Sequence, residues 1–275
     1  MNPAPGDSTA LPLYEVRTHN PSAHSENRMH SDDVALAYGF KGALVPGVTV
    51  FSHMTQPLVA KHGVDWLTRG CAEVAFAKPA YEGELLSVHS RHAATANSYV
   101  LTCVNEQGVE LAGMSAQLLD APPAADARAA IEPAAATGER PEVTWELMAV
   151  GEPFPSFKWE PARDGNLEWC ADARDELPIY REGAAPLLHP GFVLRQANLV
   201  LRNRFTLPAW IHTGSRIAFH AAMRAGETFD VRAIPEEKWR RKGHEFVRLY
   251  VAILRDRRVV AEILHTAIFQ PRKAA

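Results

Sequence analysis

The chain has 275 residues, 47% of them hydrophobic and 22% charged, and a net charge of -3. That balance is ordinary for a globular protein and gives no electrostatic case for binding nucleic acid or an acidic membrane surface. The length fits one large domain or two of about 100 to 150 residues, and either size buries a stable core.

In chain order, the N-terminal "MNPAPGDSTALPLYEV" lacks a basic start followed by an apolar run. No window reaches the roughly 18 apolar residues of a membrane-spanning helix, so a soluble, cytoplasmic protein is expected. Next comes "SENRMHSDDVALAYGFKGALVPGVT", Ser25 to Thr49, which sets His30 among polar residues ahead of a glycine-rich turn and a Pro-Gly. From Gly47 to Ala60 the apolar residues Val48, Phe51, Met54 and Leu58 recur at helical spacing, and Pro57 is expected to kink or end that helix. Strand-like runs follow, "AEVAFAKPA" and "LLSVHSR", then a hairpin pattern in which "SYVLTCV" turns through "NEQG" into "VELAGMSAQLL".

Between Ala121 and Glu142 the composition shifts to "APPAADARAAIEPAAATGERPE", rich in Ala and Pro, as expected of a connector. It separates residues 1–120 from residues 143–275, and the second part repeats the first. "ALVPGVTVF" (Ala43 to Phe51) has its counterpart in "LLHPGFVLR" (Leu187 to Arg195), which opens a second helical segment through Arg204 carrying Phe192, Leu199 and Val200. The "YEGE" of Tyr81 to Glu84 matches the "RAGE" of Arg224 to Glu227, and each Gly-Glu has a phenylalanine seven residues before its glycine. A second hairpin, "EFVRLYVAIL" turning through "RDRR" into "VVAEILHTAIF", closes the repeat. Each half is therefore one amphipathic helix followed by long antiparallel strands, an α+β pattern in which a curved sheet wraps a buried helix. Two such halves are expected to pair their sheets. Cys71, Cys103 and Cys170 are odd in number and lack a CxxC, which points to buried free thiols. The twelve histidines form no HExxH or close ligand cluster, so no metal is expected.

The "NRMHSD" of Asn27 to Asp32, the "GFKGALVPG" of Gly39 to Gly47 and the later "PAYEGE" resemble the MaoC-like or hydratase-2 family of hotdog-fold proteins, in a double-hotdog form with a degenerate second copy. The resemblance runs from about Tyr14 to Gln270 and implies two long central helices, each wrapped by a curved antiparallel sheet. It also implies hydration or dehydration at the 2,3 positions of an acyl thioester of coenzyme A or an acyl carrier protein, with no metal or redox cofactor. On the family's motif His30 takes the catalytic histidine position and Asn27 the supporting asparagine, while Gly47 offers a backbone N–H to the thioester carbonyl between Pro46 and Val48 as substrate contacts. The chemistry agrees, because a histidine exchanges protons near neutral pH and a helix N-terminus presents unpaired N–H groups to a developing oxyanion.

The departure from the family pattern is Ser25, which stands five residues before His30 where the family has its aspartate. Glu26, Asp32 and Asp33 are the nearby carboxylates; the first is one position out of register, and the other two suit the first turn of a helix. In the second copy "DELPIY" aligns with "SENRMH", keeping the aspartate as Asp175 and replacing the histidine with Tyr180, so both become candidate substrate contacts. His53 falls within the central helix, and the basic run "KWRRKGH" of Lys238 to His244 is a candidate for the phosphates of coenzyme A. The alternatives are a hotdog thioesterase, disfavoured because neither central helix has an acidic residue in its first two turns, and a non-catalytic acyl-binding module that lost the aspartate. Exposed strand edges leave a homodimer open.

Overall fold

The computed structural model describes residues 11–272. Strand β1 (Tyr14–Arg17) leads through a short turn over Arg28–His30 into α1 (Asp32–Ala37), α2 (Gly47–His62) and α3 (Trp66–Arg69). Strands β2 (Gly70–Phe76), β3 (Leu85–His92), β4 (Ser98–Asn105) and β5 (Glu110–Leu118) complete the first half. The second half runs β6 (Phe157–Trp159), α4 (Arg163–Asp172), α5 (Pro190–Arg204), β7 (Ile211–Phe219), β8 (Phe229–Arg241), β9 (His244–Arg255) and β10 (Arg258–Gln270).

The strands form a single ten-stranded sheet in the order β1-β3-β4-β5-β2-β7-β10-β9-β8-β6. Read outward from the centre, the order of one half mirrors the other, which is the sequence repeat expressed in space. Neighbouring strands pair antiparallel throughout, including β2 with β7, where the halves join. Alternation sets the faces. Tyr99, Leu101 and Cys103 of β4 point into the core while Val100 and Thr102 face outward. The β9–β10 hairpin closes on Asp256 and Arg257, both with positive φ (51° and 63°), the backbone form that matches strand twist in two-residue turns.

Helix α2 is buried on every side, with Val48, Phe51, Met54, Leu58 and Val59 inside, and it packs against α5 beneath the sheet. Pro57 neither ends nor breaks it: α2 continues to His62 and stops at Gly63, whose φ is 57°. An interior proline costs about 3 kcal/mol, but burying Phe51, Met54 and Leu58 contributes about 1.5–3 kcal/mol each, so tertiary packing outweighs the local preference.

The Ala- and Pro-rich connector lies against the second half of the sheet. Ala129 packs with Tyr250, Ala252 and Leu254, and Arg128 pairs with Asp126 at 2.7 Å while its guanidinium stacks on the Tyr250 ring. Cys103 and Cys170 are buried and Cys71 half-buried, all three as free thiols.

Two glycines test the packing in opposite directions. A Cβ at Gly165, inside α4, would meet only the Phe192 ring at 3.9 Å, whereas one at Gly191 would lie 1.9 Å from Ser52 Oγ, 3.0 Å from Trp169 Nε1 and 3.1 Å from the Val48 carbonyl oxygen. Gly165→Ala is therefore expected to stabilise by about 0.5–1 kcal/mol through helix propensity. Gly191→Ala is expected to destabilise by about 1–3 kcal/mol through overpacking where α2 and α5 meet. Urea titration of both variants measures the two signs.

Candidate active site

The site begins with the amide of Asn27, which caps the turn before α1 and is buried. Its Oδ1 accepts from the backbone N–H of Met29 (3.3 Å) and of Trp210 (3.2 Å). Its Nδ2 donates to the Trp210 carbonyl (3.0 Å) and to His30 Nε2 (3.1 Å). Two donors on one side and a carbonyl on the other leave the amide a single orientation.

His30 inherits its tautomer from this arrangement. Its Nδ1 lies 2.7 Å from the Leu44 carbonyl oxygen, which only accepts, so Nδ1 carries the proton and Nε2 presents a lone pair. Burial pushes its pKa below the ordinary imidazole value, against the pull of that carbonyl. The same loop leads from Leu44 into Pro46 and Gly47, where α2 starts with no side chain capping its first turn. The open N–H groups of that turn carry partial positive charge.

His30, Asn27, Pro46 and Gly47 line one cleft of about 240 Å³, walled by Phe40, Val50, Phe76, Trp210, Ile211 and Ile268 among others. Val50 comes from α2 and Asn198, also on the lining, from α5, so the cleft extends over both central helices. No aspartate or glutamate is among the described residues that line it. His212 lines it as well. Its Nδ1 makes no hydrogen bond and lies against the helix start: a Cβ built on Gly47 would be 3.0 Å from that nitrogen and 3.0 Å from the Phe76 ring.

No sequence family matches the chain, and no curated protein matches it in sequence. Solved structures do match. A MaoC domain protein from Chloroflexus aurantiacus J-10-fl superposes with a TM-score of 0.65 at 13% identity over 94% of both chains. A conserved hypothetical protein from Mycobacterium tuberculosis with a double hotdog fold gives 0.62 at 14% identity, again over 94% of both. A MaoC-like dehydratase gives 0.60 at 11% identity, over 95% of this chain and 98% of that one. The chain is a double hotdog.

The double hotdog treats its two helix starts in opposite ways. Where Val45 precedes Pro46 in the first copy, His189 precedes Pro190 in the second. His189 Nδ1 accepts from the Gly191 N–H at 3.0 Å, capping α5, and its Nε2 donates to Asp175 at 3.1 Å. Tyr180 packs against His189 with ring centres 4.7 Å apart and planes tilted by 48°, and both are fully buried. Asp175 and Tyr180, expected as substrate contacts, thus lie in a filled second site and not on the cleft, because His189 occupies the space that an open helix start would offer.

Other sequence expectations also relocate. Ser25 is off the cleft; its hydroxyl donates to the Asn27 carbonyl at 3.3 Å. Val48 is buried inside α2, and Val50 takes its place on the lining. Glu26 pairs with Arg140, Asp33 with Arg28, and Asp32 accepts from the Ala43 N–H, so each nearby carboxylate serves the surface or the loop. His53 is buried against Thr18. Lys238 of the basic run donates to the Trp145 carbonyl, while His244, at its end, reaches the cleft lining. Sequence reasoning did not find His212 or Asn198; Asn198 Oδ1 is likewise buried with no partner.

Four imidazoles are held neutral by burial. His30 and His212 lie below the ordinary value, and His53 and His265 are pushed to about 3. For His212 burial acts first, then the neighbouring His265; the nearby Gly214 carbonyl acts in the other direction. Unfolding returns each ring to an ordinary value, so as pH falls the unfolded chain takes up protons first and stability declines. The expected loss between about pH 7 and pH 5.5 is roughly 2–5 kcal/mol. Denaturant midpoints across that range check it, and a flat profile contradicts it.

Proposed function

We propose that the cleft catalyses reversible addition of water across the 2,3 double bond of an acyl thioester carried by coenzyme A or an acyl carrier protein. The observation that carries this reading is the pairing of a neutral His30, its proton fixed on Nδ1 by Leu44, with the uncapped N-terminus of α2 in one cleft. In this reading the thioester carbonyl sits at the Gly47 end of α2 and the acyl chain follows the apolar wall past Val50. His30 Nε2 exchanges the Asn27 amide for a water molecule, trading one hydrogen bond for another at a net cost of about 1 kcal/mol.

As the water oxygen bonds to C3, the π pair moves onto C2 and the carbonyl oxygen, and one water proton passes to Nε2. Returned to C2, that proton completes the hydroxyacyl product and leaves His30 neutral. Dehydration is the same path reversed. The low basicity imposed by burial favours giving the proton back.

Met29 and Trp210 hold the Asn27 amide in place, and the Nδ2–H that His30 gives up is left to donate to the incoming water. With Ser25 turned away and no carboxylate on the lining, imidazole chemistry replaces the Asp–His pair of the resembling family. The same lack of a lining carboxylate disfavours a thioesterase, which needs a base aimed at the carbonyl carbon. The basic turn ending in His244 suits the phosphates of the carrier.

Crotonyl-coenzyme A and longer enoyl thioesters, followed by loss of enoyl absorbance and by release of free thiol, test the proposal. The expected result is hydration without thiol release, with kcat lowered by about 10²–10⁴-fold in His30→Ala. Thiol release by the wild type overturns it in favour of a thioesterase, and binding without turnover in favour of an acyl-binding protein.

A further inference from the structure

The cleft holds a second imidazole with a built support. In β7 a bulge leaves Thr213 without a partner, since Ala267 of β10 pairs with His212 and Thr266 pairs with Gly214. The extra residue resets the strand's alternation, so His212 and Ser215, three positions apart, both turn inward. Ser215 Oγ lies 2.8 Å from His212 Nε2 and 3.0 Å from His265 Nδ1, with all three residues buried. The remaining nitrogens, His212 Nδ1 and His265 Nε2, make no hydrogen bond.

A hydroxyl carries one proton, so it donates to one ring and accepts from the other. If Ser215 donates to His265, then His265 keeps its own proton on Nε2, a fully buried N–H with no acceptor. If Ser215 donates to His212 Nε2, His265 Nε2 is left a bare lone pair and the His212 proton sits on Nδ1, so each arrangement leaves one buried N–H without an acceptor in the protein. Stranded buried N–H groups are rare in proteins, and a ligand is the remaining source of an acceptor. The second arrangement is therefore preferred, because His212 lies on the cleft lining beside the first residue of α2 and His265 does not. The edge of Phe76, with ring centres 4.8 Å apart, holds the imidazole in place.

We propose that His212 donates a hydrogen bond from Nδ1–H to the thioester carbonyl oxygen, alongside the Gly47 N–H, and that Ser215 and His265 are positioning residues that set its tautomer. This rests on the reading of the cleft as an acyl-thioester site. A site that lacks the family's aspartate gains a second neutral donor where negative charge develops on the carbonyl oxygen. No proton is transferred, so the ring never has to charge in its buried position. The crowding also accounts for Gly47: any side chain there would press on the donor and on Phe76.

Nitrogen-15 spectroscopy of histidine-labelled protein, with the His212 signal assigned through His212→Phe, tests the tautomer and the contact together. Expected are a protonated Nδ1 in the free protein and a shifted Nδ1–H resonance when crotonyl-coenzyme A binds. His212→Phe should lower kcat about 100-fold with KM changed only a few-fold, and His212→Asn, whose amide reaches toward the Nδ1 position, should recover part of the loss. Ser215→Ala should populate the bare-Nδ1 tautomer. A bare Nδ1 in the wild type, a resonance unmoved at saturation, or wild-type kcat in folded His212→Phe overturns the assignment. Hydration with an unmoved His212 signal refutes this inference alone, whereas a shifted signal without hydration refutes the hydratase reading and upholds the contact. A cleft that binds no thioester overturns both.

Discussion

Strands β2 and β7 pair antiparallel from Cys71 opposite Ala218 to Ala75 opposite Gly214, and the cleft depends on that seam. It brings the second half's Trp210 and His212 against the first half's Asn27 and Gly47. Gly214 is required for the approach, because a Cβ there would stand 2.8 Å from the Val74 carbonyl oxygen. Asn27 then fastens the halves by meeting both backbone groups of Trp210, groups that would cost about 1–3 kcal/mol each if left buried and unpaired. Neither half alone has a cleft, since His30 comes from one and its opposing wall from the other.

Duplication supplied two equivalent helix starts, and one residue separates their fates. His189 closes α5 with a hydrogen bond to Gly191 and anchors itself on Asp175, a buried arrangement that stabilises the second half as a helix cap does, by about 1 kcal/mol. Val45, at the matching position, gives α2 no cap and leaves its first N–H groups facing the cleft. An uncapped helix start is a local loss of stability kept where an anionic or polarised group is to be held. The buried neutral histidines follow the same logic, trading stability in mild acid for uncharged donors and acceptors inside.

Much of this was legible in the sequence. The repeated Pro-Gly and Gly-Glu, with their matched spacing, encode the mirrored strand order, and alternation encodes the hairpins because each strand buries one face. His30 and Gly47 meet because the intervening loop is tied back at Leu44. Other features were hidden for physical reasons. Pro57 reads as a helix breaker, yet burial on every side of α2 overrides it. Asp175 and Tyr180 align with a site that His189 has filled, a three-dimensional substitution that pairwise motif matching does not register. His212 escaped because a one-residue bulge shifts β7 out of simple alternation, so its partnership with Ser215 at a spacing of three looks like no strand pattern. The full use of the Asn27 amide depends on Trp210, far away in the chain.

The central claim is that the open start of α2 holds and polarises a thioester carbonyl. Infrared difference spectra of crotonyl-coenzyme A carrying carbon-13 at its carbonyl, free and bound, address it directly. The predicted result is a carbonyl band displaced to lower frequency on binding, as donors draw charge onto the oxygen. A bound thioester whose carbonyl band stays at its free-solution position would contradict it.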